Sequence, residues 1–102
     1  MKNKMEYMLI PQKGDQEIIS KAVAEFSKLD KRGLVDYYNK QSKLGILGAR
    51  RQSLTLFALG LVFMKVFGES PVYLEDNVVL GMKGQIHLAD SKFILLESFS
   101  SN

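Results

Sequence analysis

Residues 50–88 read RRQSLTLFALGLVFMKVFGESPVYLEDNVVLGMKGQIHL, and the fold turns on a change of rhythm in the middle of that stretch. Between Leu54 and Phe67 apolar residues fall on nearly every side of a 3.6-residue period. A helix of that kind needs cover all round, so the pattern predicts a central core helix from Ala49 to about Phe67, stopped by Gly68. Gly60 in its middle weakens a helix unless another backbone packs closely there, and Ala49, Ser53 and Gly60 together suggest a small-residue groove. After Ser70-Pro71 the period drops to 2. Val72 and Leu74 alternate, Glu75-Asp76-Asn77 supplies a turn, and the even-numbered positions Val78 to Leu88 alternate with wetter odd ones, with Gly81 and Gly84 marking a bulge or bend.

Outward from there, Ala89-Asp90-Ser91-Lys92 predicts a hairpin turn, followed by a last strand from Phe93 to Phe99. Toward the N-terminus, Gly45-Ile46-Leu47-Gly48 reads as a tight connection into the core helix. Before it, Asp30 is a candidate N-cap for a helix that ends near Gly45 and turns Leu34, Tyr37, Tyr38, Gln41 and Leu44 inward. Ile18, Ile19, Ala22, Val23, Phe26 and Leu29 form the stripe of an earlier helix, with Asp15 placed to accept its free amides after a turn at Gln12-Lys13-Gly14. Met5 to Ile10, closed by Pro11, reads as a short strand. The expected fold class is α+β: three helices packed on one face of a small antiparallel sheet, made of a C-terminal β-meander and an added N-terminal strand. Residues 1–102 read as one domain, with ends fraying at about 1–4 and 99–102.

Composition bounds the function. With 102 residues and 46% hydrophobic content, the chain can bury about two thirds of its surface in a single core. It has no cysteine, which removes disulfides, thiolate metal sites and thiol nucleophiles and fits a reducing compartment. A cytoplasmic location is expected, because the N-terminal stretch lacks the apolar core of a secretory signal. Arg50-Arg51 before an apolar run resembles a twin-arginine export signal superficially, but it lies too deep in the chain to act as one. No membrane span is expected, since the run is bounded by Arg51 and interrupted by Lys65.

Catalysis has no positive signal. The single histidine, His87, falls on the wetter face of its strand beside Lys83 and Gln85, and Glu75-Asp76-Asn77 reads as a turn rather than a cation loop. Neither a catalytic residue, nor a metal site, nor a cofactor is assigned.

Two kinds of binding remain. The +3 net charge is uneven: Lys28 to Arg51 carries seven basic residues against Asp30 and Asp36. Lys31, Arg32, Lys40, Lys43, Gly45, Gly48, Arg50 and Arg51 are therefore candidate contacts for an anion or for nucleic acid, with Tyr37 or Tyr38 as stacking groups. Gly45-Ile46-Leu47-Gly48 resembles the GxxG loop that clamps the nucleic-acid backbone in KH domains. Its middle residues are Ile and Leu where that loop is polar or basic, an extra helix precedes it and the terminal helix is missing, so the chain is not assigned to that family. The bland alternative is a helix-helix turn with Ile46 and Leu47 anchored in the core and both arginines in water. The last strand is apolar on both faces, which a one-layer sheet cannot cover, so Phe93, Leu95 and Phe99 are candidate protein-interface residues. The favoured expectation is a non-catalytic interaction or regulatory module that self-associates or binds a partner protein. The alternative is nucleic-acid binding through Lys28–Arg51.

Overall fold

The computed structural model describes residues 6–8, 12–76 and 79–96. Their order is β1 (Glu6–Met8), α1 (Asp15–Phe26), α2 (Lys31–Leu44), α3 (Arg50–Phe67), β2 (Val72–Glu75), β3 (Val79–Met82), β4 (Ile86–Ala89) and β5 (Lys92–Leu95). The fold is α+β, as the change of period predicts. The expected fraying ends lie outside the described residues.

The strands form two sheets rather than one. β3 sits between β1 and β2, antiparallel to both, while β4 and β5 make a separate antiparallel hairpin. The long strand expected from Val78 to Leu88 is therefore broken at Lys83-Gly84-Gln85. The break is held by α2. The Tyr38 hydroxyl donates to the Gly84 carbonyl at 2.7 Å. The Asn39 amide then takes both backbone groups of Ile86, donating to its carbonyl at 2.9 Å and accepting from its N–H at 2.8 Å. Gly84 adopts φ 106, a conformation open mainly to glycine. Three residues separate the strands, so inward parity survives: Leu80 and Met82 before the break and Ile86 after it are all buried. That preserved parity is why the sequence reads as one strand.

The core forms where α2, α3 and the two sheets meet, with Leu34, Val35, Tyr38, Leu54, Leu56, Leu59, Val62, Phe63, Leu80 and Ile86 at or near zero exposure. Phe63 stacks on Phe67 with centroids 5.1 Å apart, and Phe93 meets both edge-on. α1 lies along α3 and contributes Phe26, with Ile18, Ile19, Ala22 and Val23 packed half-buried against the core. β2 closes on α3 at Gly60, where a Cβ would sit 3.2 Å from both Ser70 Oγ and Val72 Cβ. The close approach inferred from that glycine is thus made by a strand.

Of the three helix starts only that of α2 is closed by a side-chain cap. Asp30 caps α2 by accepting from Gly33 N at 2.8 Å. Asp15 does not cap α1 in that way: it is the helix's first residue, and its carboxylate turns back to the Gln12 amide at 2.7 Å and across to Arg50. α1 stops at Phe26, so Leu29, expected in its buried stripe, is exposed.

Candidate functional site

The core helix is not covered on every side. Leu61 and Met64 are 44% and 53% exposed, and Val66 is exposed too. At 100° per residue, Phe57, Leu61 and Met64 fall on one sector of α3. That sector and β2 form the walls of an open groove of about 280 Å³, floored by Gly60, Val72 and Leu80 and bordered by Ser70, Tyr73 and Leu74. Its lining is mostly aliphatic and aromatic. The Ser70 hydroxyl is already engaged, accepting from Val72 N at 2.9 Å and donating to Val72 O at 2.8 Å. Such a surface can bury apolar side chains and offers no acid–base pair. Nothing in the sequence marked this sector, because a helix apolar all round does not say which side its neighbours leave open.

The expected interface residues divide differently. Phe93 is buried against Phe63 and Phe67 in its own chain and so packs into the core. Leu95 packs half-buried against the same cluster, and Phe99 lies outside the described residues. The outer face of β5 does carry exposed Ile94, paired across the hairpin with exposed His87.

The basic candidates occupy separate places. Lys31 Nζ donates to the Ser91 carbonyl at 3.2 Å and lies 5.4 Å from the centroid of the Phe67 ring, tying the start of α2 to the β4–β5 turn. Arg32 is exposed beside it. Lys40 and Lys43 line a shallow depression with Asp36 and Asn39, at the far end of the same helix. Arg51 borders another, with Lys21, Glu25 and Thr55, between α1 and α3. Arg50 is half-buried and forks onto Asp15, Nε reaching Oδ1 at 3.3 Å while Nη2 bonds Oδ2. The Gln12 amide, and after it Arg50, hold the Asp15 carboxyl below its usual range against the opposing effect of desolvation.

The glycine loop is committed internally. Gly45 turns the chain at φ 79 and its N–H bonds Gln41 O, while Gly48 takes φ 90. Gln52 closes the loop from α3: its Oε1 accepts from Leu47 N at 2.9 Å, and its Nε2 donates to Gly45 O at 3.0 Å. Two of the amides that a phosphate would use are thus occupied. The expected apolar anchoring is only partial. Ile46 packs against the core, but Leu47 is 68% exposed, and Leu44, expected on the buried face of α2, is 60% exposed. Tyr37 packs its ring 4.9 Å from Phe26, where burial raises its hydroxyl pKa, and Tyr38 is fully buried, which withdraws its ring from base stacking.

Among the described residues no group of three His, Cys, Asp or Glu side chains could hold a metal ion, and no helix is long and apolar enough to cross a membrane. The fold and this groove define a small α+β domain with an open apolar surface along its central helix. Comparison with protein-family models, with curated proteins and with solved structures finds no match for the chain.

Proposed function

We propose that this domain is a non-catalytic interaction module that binds protein through the groove between α3 and β2. One observation carries the reading. The longest and most apolar helix keeps Leu61 and Met64 about half in solvent beside a groove of about 280 Å³, although Leu54, Leu56, Ala58, Leu59, Val62 and Phe63 of the same helix are packed to near-zero exposure. Scattered surface leucines are ordinary, but an apolar ridge next to an apolar groove is the kind of contiguous patch that protein contacts use. Nucleic-acid binding has less support, because Lys31 and Arg50 are engaged within the chain while Lys40, Lys43 and Arg51 border different depressions.

Site-specific photo-crosslinking in cells tests the proposal. A photoreactive residue at Met64 is expected to yield discrete protein adducts, whereas one at exposed Lys40, away from the groove, is not. Absence of adducts at Met64, or the same pattern from both positions, refutes the assignment of the groove.

A further inference from the structure

We infer that Ser70 is an edge guard: its hydroxyl holds the outer edge of β2 closed to strand addition by a second copy of this chain. The inference concerns the backbone of β2 and is independent of what the groove binds.

The strand order β1-β3-β2 makes β2 an edge of its sheet. Which of its backbone groups face outward follows from the register. The Lys83 N–H donates to the Pro71 carbonyl at 2.9 Å, so Pro71 and Lys83 form a hydrogen-bonded pair. In an antiparallel ladder such pairs alternate with non-hydrogen-bonded ones. With Val72 opposite Met82 and Leu74 opposite Leu80, the backbone groups of Tyr73 and Glu75 turn toward β3, and those of Val72 and Leu74 turn away from it. A row of outward N–H and C=O groups is a template for another strand.

Ser70 takes the first of these two outward positions whole. Its Oγ accepts from the Val72 N–H at 2.9 Å and donates to the Val72 carbonyl at 2.8 Å. Gly60 of α3 gives the hydroxyl its room, since a Cβ there would lie 3.2 Å from the Oγ. The outward groups of Leu74 have no partner among the described residues. Beyond Leu74 the edge is blunted differently: Glu75 and Asp76 are exposed, β2 ends at Glu75, and Asp76 turns the chain at φ 50. An added strand bonds alternate residues, so Val72 and Leu74 would offer it two consecutive positions roughly 7 Å apart. The Ser70 hydroxyl reduces these to one.

The test compares the full-length wild type with Ser70→Ala and Ser70→Thr by sedimentation equilibrium, with amide hydrogen exchange followed by NMR. Ser70→Ala is expected to self-associate at least tenfold more tightly than wild type, and Ser70→Thr, which keeps the hydroxyl, to behave as wild type. In Ser70→Ala the Val72 amide should exchange at least tenfold faster at low concentration. The Val72 and Leu74 amides should then become protected together as concentration rises. Three results would each overturn the inference: Ser70→Ala no more associated than wild type, Ser70→Thr associating like Ser70→Ala, or association that leaves both amides exchanging freely. The wild type gives a check that does not depend on the folding of any variant. Its Val72 amide should exchange at least tenfold more slowly than its Leu74 amide, and equal rates would remove the guard.

Discussion

Replacing Asn39 by Ala should detach the helical layer from the hairpin layer more effectively than its partly exposed position suggests. The Asn39 amide makes the only described side-chain hydrogen bonds to the backbone of Ile86, at 2.8 and 2.9 Å, where Ile86 itself is 1% exposed. Truncation leaves one N–H and one carbonyl without those partners. An unsatisfied buried group costs about 1–3 kcal/mol, and partial access of water here places the pair near the lower end, about 2–3 kcal/mol in total. Against the roughly 5–15 kcal/mol that holds a domain of this size together, that is a large fraction. At about 4–8 °C per kcal/mol, the melting temperature should fall by roughly 10–20 °C. Urea denaturation followed by circular dichroism measures it, with the midpoint shifting and the slope unchanged if unfolding stays two-state. Asn39→Asp separates the two bonds, because a carboxylate can still accept from Ile86 N but cannot donate to Ile86 O. Its folded-state pKa should be raised by the facing carbonyl, so its stability deficit should shrink as pH falls through that value and the carboxyl becomes a donor. An Asn39→Ala protein within about 0.5 kcal/mol of wild type would behave like an ordinary surface substitution and refute the claim that this amide holds the sheet break.

Two further perturbations probe other joints. Asp15 has a lowered folded pKa, so its contribution is present above the unfolded carboxylate value and lost as pH falls through the folded one; Asp15→Asn should flatten this acid limb of the stability profile, and an unchanged limb would place the dependence elsewhere. Gly60→Leu sets a side chain where a single Cβ already meets Ser70 and Val72 at 3.2 Å, and should destabilise by about 1–3 kcal/mol in a denaturant titration despite leucine's better helix propensity. A neutral or stabilising Gly60→Leu would mean that β2 moves freely on α3.

Much of the secondary structure is legible because it follows from local chemistry. Asp30, Gly45 and Gly68 end or begin helices for reasons contained within a few residues, and the turn at Asp90, which takes φ 61, uses a residue that tolerates the left-handed region. The class follows equally from the change of period after Ser70-Pro71. The candidate site was far less legible. Arg50 reads from the sequence as an anion contact because Asp15, which it bonds, lies 35 residues earlier, and Phe93 reads as an interface residue because the Phe63 and Phe67 rings that pack on it come from a distant helix.

The sequence by itself thus determined the helices, the strand-forming stretches and an α+β class, because amphipathic period, capping and turn preference act over a few residues. Only the tertiary structure decided that the meander splits at Lys83-Gly84-Gln85, since Tyr38 and Asn39 reach that segment from more than 40 positions away. It alone also decided which side of the core helix stays open. Hydrophobic burial is non-directional, so an all-round apolar helix is satisfied by neighbours on any three sides, and the uncovered sector at Phe57, Leu61 and Met64 is set by where α1, α2 and β2 come to rest.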